Sequence, residues 1–111
     1  MMHNMKNKVT LIGHVGKDPQ LIEIGDKKLA KFSLATSDGY KNNDGEWVKE
    51  TIWHNIVVWG KLAETVGSKL KKGMELALEG KINNRVYEDK DGQKRFFSEI
   101  LLSDFYTPKQ K

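Results

Sequence analysis

A chain of 111 residues with 38% apolar content and no linker-like stretch has room for one compact domain with a modest core. It carries no cysteine, which removes disulfides, thiolate nucleophiles and thiolate metal sites together. No apolar run approaches the roughly 18 residues of a bilayer span and the start is too polar for a secretory signal, so the sequence reads as soluble and intracellular. The net charge of +4, from 19 Lys+Arg against 15 Asp+Glu, attracts polyanions without naming one.

The run Val9-Thr10-Leu11-Ile12-Gly13 is β-rich, alternates weakly and is bounded by glycine, the pattern of a buried first strand. Gly13 and Gly16 then permit sharp coiling. A short apolar piece, Leu21 to Ile24, precedes a turn at Gly25-Asp26-Lys27. From there Phe32, Leu34 and Thr36 alternate with Lys31, Ser33 and Ala35, giving a second strand over 29–37. The polar cluster 41–45 returns the chain into the longest β-like run, 47–59, and the two strands should form a long hairpin. Leu62, Val66 and Leu70 recur every four residues, so 61–72 is predicted as one amphipathic helix ended by Gly73. Residues 74–87 and 93–103 complete the set as two strands joined across an Asp91-Gly92 turn.

The order β-β-β-α-β-β, all-β with one short helix, matches the five-stranded Greek-key barrel of the OB-fold, expected to fill 1–107 with a disordered end at 108–111. A ferredoxin-like fold needs a second helix, and an SH3-like barrel usually lacks this one. In OB-folds, oligonucleotides and oligosaccharides bind across the second and third strands, but the side chains must make the case for a site.

Within 47–59 the odd positions carry Trp47, Lys49, Trp53 and Trp59, and the even positions carry Val48, Ile52, Ile56 and Val58. Period two places the aliphatics inside and the indoles outside. A strand tryptophan is more often core than platform. Three indoles exposed on one strand, however, make an apolar patch that a soluble monomer avoids unless something binds there. Nucleobases are the fitting partner, because any base can stack on indole or phenol while lysine and arginine neutralise the phosphates. Tyr40 and Tyr87, at the mouths of two loops, extend the platform, and Lys31, Lys41, Lys49, Lys61, Lys72, Lys81 and Arg85 are the nearest cations. A phosphate loop at Gly13-x-x-Gly16 is excluded by Pro19 and the missing helix, and His3, His14 and His54 lack ligand spacing. The chain reads as a binding module with no catalysis, metal or cofactor; a protein-binding OB module using the same aromatic face is the alternative.

The run Trp53-His54-Asn55-Ile56-Val57-Val58-Trp59-Gly60-Lys61-Leu62-Ala63-Glu64, together with the segments 7–19, 32–37 and 78–81, resembles the bacterial-type single-stranded DNA-binding proteins over residues 5–106. The resemblance implies base stacking at Tyr40, Trp53, Trp59 and Tyr87, with phosphate contacts at Lys8, Lys61, Lys72 and Arg85. It also implies a homotetramer built as a dimer of dimers, with His54 at a subunit contact, and a cytoplasmic, nucleoid-associated bacterial protein that coats strands in replication, recombination and repair. Asn55 and Asn83 stand where relatives often carry arginine, which weakens phosphate binding or moves it to other lysines. Trp47 has no counterpart in the family pattern. Relatives commonly continue to an acidic tip that recruits replication and repair proteins. This sequence stops at Pro108-Lys109-Gln110-Lys111, either shortened or a member without that function, so tip-dependent partners are not carried over.

Overall fold

The computed structural model describes residues 6–108. Its elements are β1 (Val9–Val15), β2 (Gln20–Ile24), β3 (Lys27–Lys41), β4 (Trp47–Trp59), α1 (Lys61–Lys69), β5 (Glu75–Glu88) and β6 (Lys94–Tyr106). The neighbour order is β1-β5-β6-β4-β3-β2, and a further pairing of β1 with β3 closes five strands into an OB-type barrel. The short apolar piece at 21–24 is therefore a strand, paired antiparallel with β3 and lying outside the closed ring. The end expected to be disordered falls, apart from Pro108, outside the described residues.

The strands form two antiparallel three-stranded sheets, β2-β3-β4 and β1-β5-β6, and all of them but the edge strand β2 take part in the ring. They join along two short seams. One sets His14 opposite Ala35 and Val15 opposite Leu34; the other, parallel, sets Ile56 opposite Ile100 and Val57 opposite Leu101. A Cβ on Gly13 would collide with the Ala35 carbonyl, so the first seam closes only because that side chain is missing. Opposite Glu79 and Gly80 the register shifts by one residue at Ser103 of β6. That bulge lets both Leu102 and Phe105, three residues apart, turn toward the core.

Val15, Leu34, Ile56, Val58 and Leu76 fill the barrel, and Ala63, Val66 and Leu70 of the helical segment plug one end. β1 is not uniformly buried as expected: Thr10, Ile12 and His14 face outward while Gly13 and Val15 face in, because only one side of β1 lines the barrel. α1 stops at Lys69, earlier than predicted. Leu70 is extended and turned into the core, and Gly73 instead takes a left-handed turn (φ 88°) that sends its N–H to the Val15 carbonyl at 2.7 Å.

The long hairpin is present, paired from Leu29 opposite Trp59 to Lys41 opposite Trp47. Beyond Ile52 it projects past the barrel as a free arm. The β5–β6 hairpin does the same toward the 89–93 turn.

Candidate nucleic-acid interface

Alternation gives the β3–β4 hairpin two chemically distinct faces. One carries Trp47, Lys49, Thr51, Trp53, Asn55, Val57 and Trp59 with their cross-strand partners, and its charged residues are Lys27, Lys31, Lys41 and Lys49, all cations. The other carries the barrel-facing Ile56 and Val58 and, on the arm, Asp38 opposite Glu50 and Tyr40 opposite Val48. Parity thus places the indoles outside, as expected: Trp47 is 68% exposed, Trp53 60% and Trp59 48%. It fails twice. Ile52 is exposed because the arm has left the barrel, and Val57 is buried because β6 joins β4 beside it.

The rings are seated rather than loose. A Cβ on Gly16 would stand 2.5 Å from Cζ3 of Trp53 and 2.6 Å from Ser33 Oγ, so the indole occupies the space over that glycine. Trp47 leans across Gly39 in the same way, its indole 2.5 Å from where a Cβ would stand. Trp59 lies by a shallow depression shared with Lys27, Lys61 and the ion pair of Lys28 with Glu64. The Glu64 hydrogen bond raises the Lys28 pKa, and its counterpart from Lys28 lowers that of Glu64.

Between Trp53 and Trp59 a groove of about 260 Å³ runs over Asn55 and Val57, walled by Lys17 and Asp18 of the β1–β2 loop, Gln20 at the start of β2, and Phe97 and Glu99 of β6. Glu99 is only 5% exposed. Its Oε2 accepts from Asn83 Nδ2 at 3.2 Å, and Arg85 Nη2 lies 3.2 Å from Oε1 with the guanidinium carbon 5.5 Å from the Phe97 ring centre. Glu99 was not singled out from the sequence, since a carboxylate in a strand ordinarily faces solvent.

The residues singled out from the sequence fall mainly on two faces, with Lys8, Lys72, Tyr40 and His54 placed elsewhere. Trp53, Trp59, Lys31 and Lys49 share the cationic hairpin face, with Lys61 at its Trp59 end. Tyr87, Lys81 and Arg85 share the outer face of the other sheet, where Tyr87 is exposed opposite Arg95. Arg85 is engaged by Glu99, and Lys8 by Glu79 at 3.0 Å. Lys72 stands by the β1–β2 loop, its N–H donating to Asp18 Oδ1 at 2.7 Å. Tyr40 is set apart: the register puts it on the reverse face of the arm from the indoles, so the four rings do not form one track on one face. His54 is half-buried, with Nε2 3.0 Å from Thr36 Oγ1. Lys17, Gln20 and Phe97 went unnoticed in the sequence; the strand-then-glycine start of the β1–β2 loop is the signal that could have found Lys17. Among the described residues no cluster of three or more His, Asp or Glu could hold a metal ion, and no helix is long and apolar enough to cross a membrane.

The model of the single-strand binding protein family matches residues 6–107. The single-stranded DNA-binding protein 1 of Chlorobaculum tepidum is 43% identical over 100 residues, covering 88% of this chain and 62% of that protein. A single-stranded DNA-binding protein of Neisseria meningitidis is 41% identical over 99 residues, covering 88% and 57%. The chain thus spans about three fifths of the length of these relatives. The solved structure of the Plasmodium falciparum SSB complex with ssDNA superposes with a TM-score of 0.85 at 32% identity, covering 93% of this chain and 95% of that one. From its barrel, its exposed rings and these matches, the chain belongs to the single-strand binding protein family.

Proposed function

We propose that this chain binds single-stranded DNA without reading its sequence, coating exposed strands during replication, recombination and repair, with no chemistry of its own. The observation that carries the reading is the coincidence of exposed, seated indoles and unopposed lysines on one hairpin face. Bases stack on Trp53 and Trp59, while Lys31, Lys49, Lys61 and Lys17 neutralise the phosphates between them. Tyr87 and Lys81 receive the strand on the second sheet, and Lys72 borders its path. Arg85 and Lys8 contribute only by exchanging their present carboxylate partners for phosphate. A strand reaches Tyr40 only by wrapping round the edge of the arm. The domain that does this is the barrel within 1–107.

The assembly belongs to the same proposal: a homotetramer, built as a dimer of dimers, in which copies cover Ile52, Ile82, Val86 and Phe96, exposed apolar side chains of the two arms. His54 lies beside Ile52 and takes part in that contact. Light scattering tests the assembly, and a monomer at working concentration refutes it.

The binding test is a titration of labelled oligo(dT), oligo(U) and duplex DNA at two salt concentrations. Oligo(dT) is expected to bind and duplex to bind poorly, with log affinity falling against log salt by about 0.7 per phosphate contacted. Equal affinity for duplex, or no salt dependence, sinks the proposal. Weak salt dependence combined with capture of a protein favours the protein-binding alternative instead.

A further inference from the structure

We infer that Glu99 is an internal competitor of the ligand, a buried carboxylate that holds Arg85 and so lowers the affinity for a strand that needs the arginine. The inference rests on the single-strand reading above and deepens it. Glu99 stands on β6 one residue before the parallel seam, where Ile100 meets Ile56. Its side chain borders both the groove between Trp53 and Trp59 and a second cavity of about 250 Å³ lined by His54, Ile82 and Ser98. Only 5% of the residue is exposed, so water does not stand in for a lost partner. Asn83 supplies one hydrogen bond to Oε2, and Asn55, which lines both cavities with it, brings no charge. Oε1 accepts no hydrogen bond among the described residues and has the Arg85 guanidinium, 3.2 Å away, as its ion-pair partner. Lys17 and Lys31 line the same groove without pairing to it.

Arg85 has the opposite surroundings. Its side chain is half-exposed, two residues from Tyr87 on the same face of the second sheet, with its guanidinium against the Phe97 ring. A phosphate drawn over that face has the guanidinium within reach, but taking it leaves a desolvated carboxylate beside neutral amides. Breaking a pair in which one charge is buried is costly, because solvent returns nothing to the charge left behind. Part of what the phosphate contributes is therefore cancelled at Glu99. Lys31 and Lys49 on the hairpin face have no carboxylate to leave, which makes the second sheet the weaker half of the strand's path. Glu99 thus sets affinity through another side chain, at one end of the ligand and not at the other.

The test titrates the full chain with labelled oligo(dT) of two lengths, one that stays on the hairpin face and one long enough to reach Tyr87, read by fluorescence anisotropy at fixed salt. Glu99→Gln keeps an acceptor for Asn83 and nearly the same shape, but no longer holds the guanidinium by charge. It is expected to bind the longer oligonucleotide about tenfold more tightly than wild type, the size of one charge-assisted hydrogen bond, and the shorter one as wild type does. Arg85→Gln should weaken the longer complex, and adding Glu99→Gln to it should bring no gain, since no arginine is left to release. Circular dichroism melting checks each fold. Wild type reports without any variant: the guanidinium NMR signals of Arg85 should move as the longer oligonucleotide is added and stay still with the shorter. A longer complex that Glu99→Gln weakens or leaves unchanged, a gain that persists without Arg85, or guanidinium signals that never move would each overturn the inference. A gain of equal size at both lengths overturns it too, as the general effect of removing a negative charge. Failure of wild type to bind either length overturns the single-strand reading itself.

Discussion

The indole of Trp53 fills the space over Gly16, bringing the middle of the three rings on one β4 face together with the loop that follows β1. A glycine that looks in sequence like half of a phosphate loop is in the fold a bed for an aromatic ring. Substituting Gly16→Ala should force the ring or Ser33 to shift, costing about 1–3 kcal/mol by urea denaturation. Oligo(dT) affinity should fall along with it, and unaltered affinity would show that Gly16 does not set the ring's working position.

Trp53→Ala and Trp59→Ala should each weaken oligo(dT) binding by about 1–3 kcal/mol, the general figure for stacked bases in single-strand binders, this family included. Both rings are largely solvent-exposed, so the melting temperature should hold. A variant that melts early would mark its indole as a packing residue.

Arg85 behaves as the partner of a buried acid before it behaves as a phosphate ligand. Arg85→Ala leaves Glu99 without its guanidinium and should cost about 1–3 kcal/mol of stability, discounted from a fully buried pair because the arginine is half-exposed. Glu99→Gln should cost less, because its amide oxygen still accepts from Asn83. If Arg85→Ala lowers affinity with urea stability unchanged, the arginine's main service is to the ligand.

The β5–β6 turn carries an acid-sensitive clasp. Asp89 accepts from Arg95 Nε at 2.9 Å and from the Gln93 and Asp91 N–H groups at 2.9 Å each. The Arg95 hydrogen bond, then the Gln93 one, holds its carboxyl below the ordinary value. A depressed carboxylate pKa stabilises the fold above the unfolded value, and that contribution is lost as pH falls through the folded one. The turn should therefore loosen below about pH 4 and stay constant across neutrality. NMR titration of the Asp91 and Gln93 amides reads this directly, and Asp89→Asn should abolish the acid-dependent step.

Much of this was legible in the sequence, for identifiable reasons. The 47–59 strand and its hairpin partner announce themselves because period-two alternation survives wherever one face is barrel wall. Ile52 and Val57 break the rule where the strand leaves the barrel and where a neighbouring strand joins it, events set by chain segments 40 or more residues away. β2 was hidden because five residues of mixed polarity at a sheet edge need no apolar face. The site divides along the same line. The indoles and hairpin lysines lie on one element and could be read together, whereas the Arg85–Glu99 pair and the groove wall at Phe97 depend on how β5 and β6 register against each other. Tyr40 was misplaced relative to the indoles because its face depends on where the hairpin register falls, which the loop at 41–45 does not specify on its own.

The two short seams of the barrel would give a nucleic acid bound as proposed a second effect beyond being held. Trp53 and Trp59 belong to one three-stranded sheet, Tyr87 and Lys81 to the other, and few backbone hydrogen bonds cross between them. A polymer laid from one set to the other acts as a strap, and the free energy of binding is added to the work of parting the halves. On the proposed path the occupied barrel is cross-linked by its cargo, and its thermal resistance is expected to rise with how far the strand has travelled.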